Sequence, residues 1–237
     1  MRQEFQEMLD RLKFIRSRMS GHIADMGGDT AGAESLYELV GRIITIPDFS
    51  QIRNGNETFA GNTVIDRIPE CLGSQAFTSM YKFAMGCTAL KHVDRLYTEN
   101  VTTFVYAFHG CSQLQEIDGL ITSNATTLGE CFHNCSSLVR INSPLNVSKV
   151  TSQLDTTFTG CSSLEELRFS GTLKADTWLI GAPKLTLESL QSVIDSLADL
   201  TREAVPTTKR IYFGAKNTAK LSAAQLATVT DKGWTLG

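Results

Sequence analysis

The chain has 237 residues, a formal net charge of −3, 42% hydrophobic residues and 20% charged residues. That balance supplies a core and excludes a disordered or fibrous chain. With no run of Lys or Arg, it also argues against a nucleic-acid or anionic-membrane surface, and no apolar stretch approaches the roughly 18 residues of a membrane-spanning helix.

In chain order, residues 1–26 read as a helix whose apolar positions are Phe5, Met8, Leu12, Ile15 and Met19. Their alternating spacing of three and four is a heptad seam. It predicts an oligomerisation or docking helix, hence a homo-oligomer. Leu9 and Phe14 widen the stripe, and the competing reading is an amphipathic helix folded onto the first repeat. The same stretch carries charges throughout and lacks the apolar segment of a secretory signal, so no signal peptide is expected in this chain. Gly27-Gly28-Asp29 breaks the helix, and a second one over 33–44 ends before Pro47. Residues 1–48 are therefore expected to form a helical attachment or capping segment.

From residue 49 a repeat takes over. Cys87, Cys111, Cys135 and Cys161 are spaced 24, 24 and 26 residues apart. Each is followed after three residues by Leu90, Leu114, Leu138 or Leu164, and after six by Val93, Ile117, Ile141 or Leu167. Phe108, Phe132 and Phe158 stand three before the Cys, with Ala84 in the odd copy. Weaker copies around Asn62 and Ala182 bring the number to about six within residues 49–187. A unit of this size cannot bury its own apolar side chains, but stacked copies cover one another. The L-x-x-I stretches predict short parallel strands about 4.8 Å apart. The Phe-x-Gly/Asn-Cys stretches predict turns stopped by Gly or Asn.

Residues 188–237 leave the repeat and read as a capping region. Thr186 is expected to cap a helix running to about Thr201, followed by a strand over 210–213. Ser222 and Gln225 form a capping box opening a helix to about Asp231. Gly233 stops it, and Trp234-Thr235-Leu236 returns as a strand.

The units FHGCSQLQEI (108–117), FHNCSSLVRI (132–141) and FTGCSSLEEL (158–167) resemble the Treponema-type, or BspA-like, leucine-rich repeat. The resemblance implies an α/β repeat solenoid, a right-handed leucine-rich-repeat coil with a parallel strand ladder. The stretch 146–164 is also similar to the repeat of mycoplasma-type surface lipoproteins. GWTL (233–236) resembles the closing segment of BspA-like proteins encoded by gut-bacterial prophages, and AESLYELVGRIITIP (33–47) looks like an attachment segment of phage tail proteins.

Cysteine beside histidine raises metal or nucleophile chemistry, since Cys111 and Cys135 accompany His109 and His133, with Cys131 nearby. Each residue, however, fills the same repeat slot as its counterpart, so the repeat accounts for the alignment. A buried thiol ladder is the expectation, with no disulfide, metal, cofactor or catalytic residue. The N-x-S/T triplets at Asn56, Asn100, Asn124, Asn134 and Asn146 are read as turn formers rather than glycosylation sites. Function then falls to the surface. The outward candidates are Lys91, His92, Gln115, Glu116, Val139, Arg140, Glu165 and Glu166 on the strands, with His109 and His133 in a second column. The expectation is a non-enzymatic binding protein whose partner is a protein or glycan on a cell surface. It is placed on a phage tail, with other tail proteins held through the N-terminal helix; the alternative is a bacterial surface adhesin.

Overall fold

A computed structural model describes residues 55–68, 77–152, 154–203 and 207–237. The expected helices over 1–26 and 33–44, and with them Phe5, Met8, Leu12, Ile15 and Met19, lie outside the described residues, as does Cys71.

The repeat becomes a stack of nearly identical rungs. Four two-residue strands, β1 (Arg67–Ile68), β2 (His92–Val93), β3 (Glu116–Ile117) and β4 (Arg140–Ile141), pair in sequence order. All pairings are parallel and in slot register: Arg67 faces His92, His92 faces Glu116, and Glu116 faces Arg140. Each strand is short because one side chain points inward and the chain turns away at once. Ile68, Val93, Ile117 and Ile141 are the buried members. A second pair, β5 (Leu145–Asn146) and β6 (Phe169–Ser170), continues the parallel pattern.

The turns stack too, by backbone hydrogen bonds between rungs. The N–H of Ala84 donates to the Ala107 carbonyl at 2.7 Å, Phe108 to Cys131 at 2.9 Å, and Phe132 to Thr157 at 3.1 Å. Thus a turn that would strand its polar backbone alone is satisfied by its neighbour. Each turn closes on a left-handed residue before the Cys slot: Gly61, Gly86, Gly110 and Gly160 at φ from 73° to 77°, and Asn134 at 59°. A Cβ at Gly110 would sit 3.8 Å from the Gly86 Cα, so space is adequate and the dihedral is what favours glycine there.

Inside, aromatic rings form a continuous column. Phe59, Phe83, Phe108, Phe132 and Phe158 lie 5.2, 6.1, 5.8 and 5.9 Å apart in succession. The copy with Ala84 in the aromatic slot does not interrupt it, because Phe83, one residue earlier, supplies the ring.

The tail extends the parallel pattern. A strand β7 (Thr177–Trp178) pairs with β8 (Lys209–Tyr212), which pairs with β9 (Trp234–Leu236). Helix α1 (Leu187–Ser196) is capped by Thr186, whose hydroxyl accepts from the Ser189 N–H. It ends five residues earlier than the expected Thr201. Leu197 adopts an extended conformation and bridges Leu173 in parallel, so rung pairing overrides helix continuation. A single 3-10 turn, Leu200–Arg202, follows under an Asp199 cap. The short helix α2 (Ala215–Thr218) was not legible in the sequence, whereas α3 (Ala223–Asp231) opens with the expected Ser222–Gln225 capping box. No helix among the described residues is long and apolar enough to cross a membrane.

Candidate functional site

Cys87, Cys111, Cys135 and Cys161 stack in the core as reduced thiols with no exposed surface. Each Sγ donates to a backbone carbonyl of the previous rung: Phe59 at 3.0 Å, Ala84 at 3.1 Å, Phe108 at 3.0 Å and Phe132 at 3.0 Å. Burial pushes the thiols of Cys111, Cys131 and Cys135 well above their ordinary value, and that of Cys161 up to about 12. A thiolate nucleophile is disfavoured by such an environment. In the outer copy the slot holds Asn62, whose Oδ1 accepts from the Val64 and Ile65 N–H groups at 2.9 Å. The slot therefore wants a small buried residue that closes the turn.

The strand candidates form an outward charge column. Arg67, His92, Glu116 and Arg140 occupy one register line, and Glu166 continues it by bridging Arg140. His92 Nδ1 lies 3.3 Å from Glu116 Oε1, and Arg140 Nε lies 3.3 Å from Glu116 Oε2. Arg67 turns aside to pair Asp94, with nitrogens at 2.7 and 2.9 Å. Lys91, Gln115 and Glu165 are exposed and Val139 is half-buried in the neighbouring column. Glu166 also lines a cleft of about 310 Å³ with Arg168, Thr186, Glu188 and Ser189. The face is thus partly neutralised from within, offering alternating charges and hydrogen-bonding groups rather than one strong field.

His109 and His133 form the expected second column, their rings 4.8 Å apart. The structure adds a residue that the sequence reading missed. Glu130, three residues before His133, places Oε2 at 3.2 Å from His133 Nδ1 and 3.3 Å from His109 Nδ1. The charge of the same carboxylate raises the pKa of the neighbouring Tyr106 phenol. The histidines thus face a carboxylate on the surface, and the cysteines lie apart from them in the core. The only signal for Glu130 was its i, i+3 spacing from His133; its proximity to His109 depends on rung stacking.

Residues 100–177, a third of the chain, match a family model described as the BspA type leucine rich repeat region (6 copies). That match agrees with the parallel rungs and supports a BspA-like repeat protein. No curated protein and no solved structure matches the chain.

Proposed function

We propose that the protein is a non-enzymatic binding scaffold, a leucine-rich-repeat solenoid over 49–187 with a helical attachment segment (1–48) and a C-terminal cap (188–237). The observation that carries the reading is columnar display. Each rung contributes one side chain to the line Arg67–His92–Glu116–Arg140–Glu166, so contacts extend over several repeats along one face. The protein- or glycan-binding use of such surfaces fits the BspA-type match over 100–177.

The role best supported by the terminal stretches 33–47 and 233–236 is host-surface recognition as a phage or prophage tail-associated protein. This places the chain on a virion, held to other tail proteins through residues 1–26. A bacterial cell-surface adhesin is the second reading, favoured by the BspA-type match itself. The test is binding of the labelled full chain to parallel arrays of bacterial surface polysaccharides and animal extracellular glycoproteins. Saturable binding to the polysaccharides supports the phage role, and to the animal glycoproteins the adhesin role. Failure on both arrays contradicts the binding assignment.

A further inference from the structure

We propose that His109, Glu130 and His133 form a site for a divalent zinc-type cation, with its fourth coordination position open to solvent. The three ligand atoms lie within 4.8 Å of one another. Zinc–nitrogen and zinc–oxygen distances near 2.1 Å in a tetrahedron place neighbouring ligands about 3.4 Å apart. The two Nδ1···Oε2 separations are 3.3 and 3.2 Å, matching two edges of that tetrahedron.

The orientation of the rings supports the same reading. Both Nδ1 atoms are buried, and neither makes a well-aligned hydrogen bond, although the Glu130 carboxylate oxygen lies 3.3 and 3.2 Å away. In a tetrahedral site each lone pair aims at the centre, about 35° off the ligand–ligand edge, so edge distance without hydrogen-bond alignment is the expected arrangement. A cation at the shared point would satisfy both nitrogens and offset the carboxylate charge.

The site belongs to one pair of rungs. The equivalents of the histidine column are Ala60 and Met85 on one side and Thr159 on the other, and the equivalents of Glu130 are Glu57, Lys82, Tyr106 and Thr156, so Glu57 recurs without a histidine beside it. Among the described residues, no other rung pair combines two histidines with a carboxylate. The repeat alone therefore does not require the cluster. Borderline N/O donors favour Zn²⁺ over Ca²⁺ or Mg²⁺, which prefer all-oxygen sets.

The test is calorimetric titration of the full chain with Zn²⁺, and with Mg²⁺ in parallel. One Zn²⁺ per chain should bind, with affinity lowered roughly 10-fold or more in His109→Ala and in His133→Ala. Cys111→Ser should bind as the parent does. Absence of Zn²⁺ binding, or binding unchanged in both histidine variants, would overturn the proposal. Cobalt spectroscopy on the unmutated chain provides a readout independent of variant folding. Four-coordinate d–d bands without a thiolate charge-transfer band are expected, whereas an intense thiolate band would place the metal on cysteine and overturn it.

Discussion

Cys135 Sγ donates a hydrogen bond of 3.0 Å to the carbonyl of Phe108, 27 residues earlier, and the same bond recurs at Cys161 with Phe132. The thiol thus joins two rungs at a point where water is excluded. Cys135→Ala should cost about 1–2 kcal/mol, from the lost bond and the small void. Cys135→Leu should cost about 1–3 kcal/mol through overpacking. Urea unfolding monitored by circular dichroism checks both, and unchanged midpoints would show that the slot bears no load.

Thiol burial also sets a pH dependence. The folded Cys161 thiol is pushed from 9.0 to about 12, so above pH 9 the unfolded chain releases a proton that the folded chain retains. Linkage then makes this contribution to stability complete below pH 9 and progressively lost as the pH rises toward 12. Urea midpoints should fall across that window, and the fall should be smaller in Cys161→Ser. Equal falls in the two proteins would contradict the assignment.

Asn217 in α2 is fully buried. Its Nδ2 donates to the carbonyls of Ala182 at 2.9 Å and Phe213 at 3.0 Å, with Leu179 at 3.4 Å. These bonds tie the tail to the last rung. Asn217→Leu should strand the carbonyls and destabilise the protein by about 2–3 kcal/mol. Hydrogen exchange should show lost protection in residues 177–182 and 209–213 before the central rungs. Uniform loss across all rungs would argue against a local anchoring role.

The repeat was legible in the sequence because every slot is stated several times, so the Cys, Leu and Ile columns could be read before any contact was known. The aromatic column was legible except at Phe83, where a one-residue offset hid the ring behind Ala84. The end of α1 was misjudged because Leu187, Leu190, Val193, Ile194, Leu197 and Leu200 keep helical spacing. Leu197 nonetheless gains a backbone partner in Leu173, which helical propensity does not encode. Likewise Glu130 reaches His109 across rungs, a relation set by tertiary stacking rather than local spacing.

The heptad seam of residues 1–26 predicts a dimer or trimer of the full chain by light scattering. Leu12→Glu with Ile15→Glu should reduce it to a monomer. A monomeric parent would remove the oligomerisation reading and leave a simple capping helix. An oligomer would add avidity to weak individual contacts.

The central claim is that function resides in the outward columns and that the cysteine core is inert scaffolding. The most direct test is affinity for the strongest array ligand, compared between a surface variant and a core variant. The account predicts that Glu116→Lys with Arg140→Glu weakens binding roughly 10-fold or more, as losing central interface contacts does. It predicts that Cys111→Ser with Cys135→Ser leaves affinity unchanged. Loss of binding in a well-folded cysteine variant, with the surface variant unaffected, would contradict it.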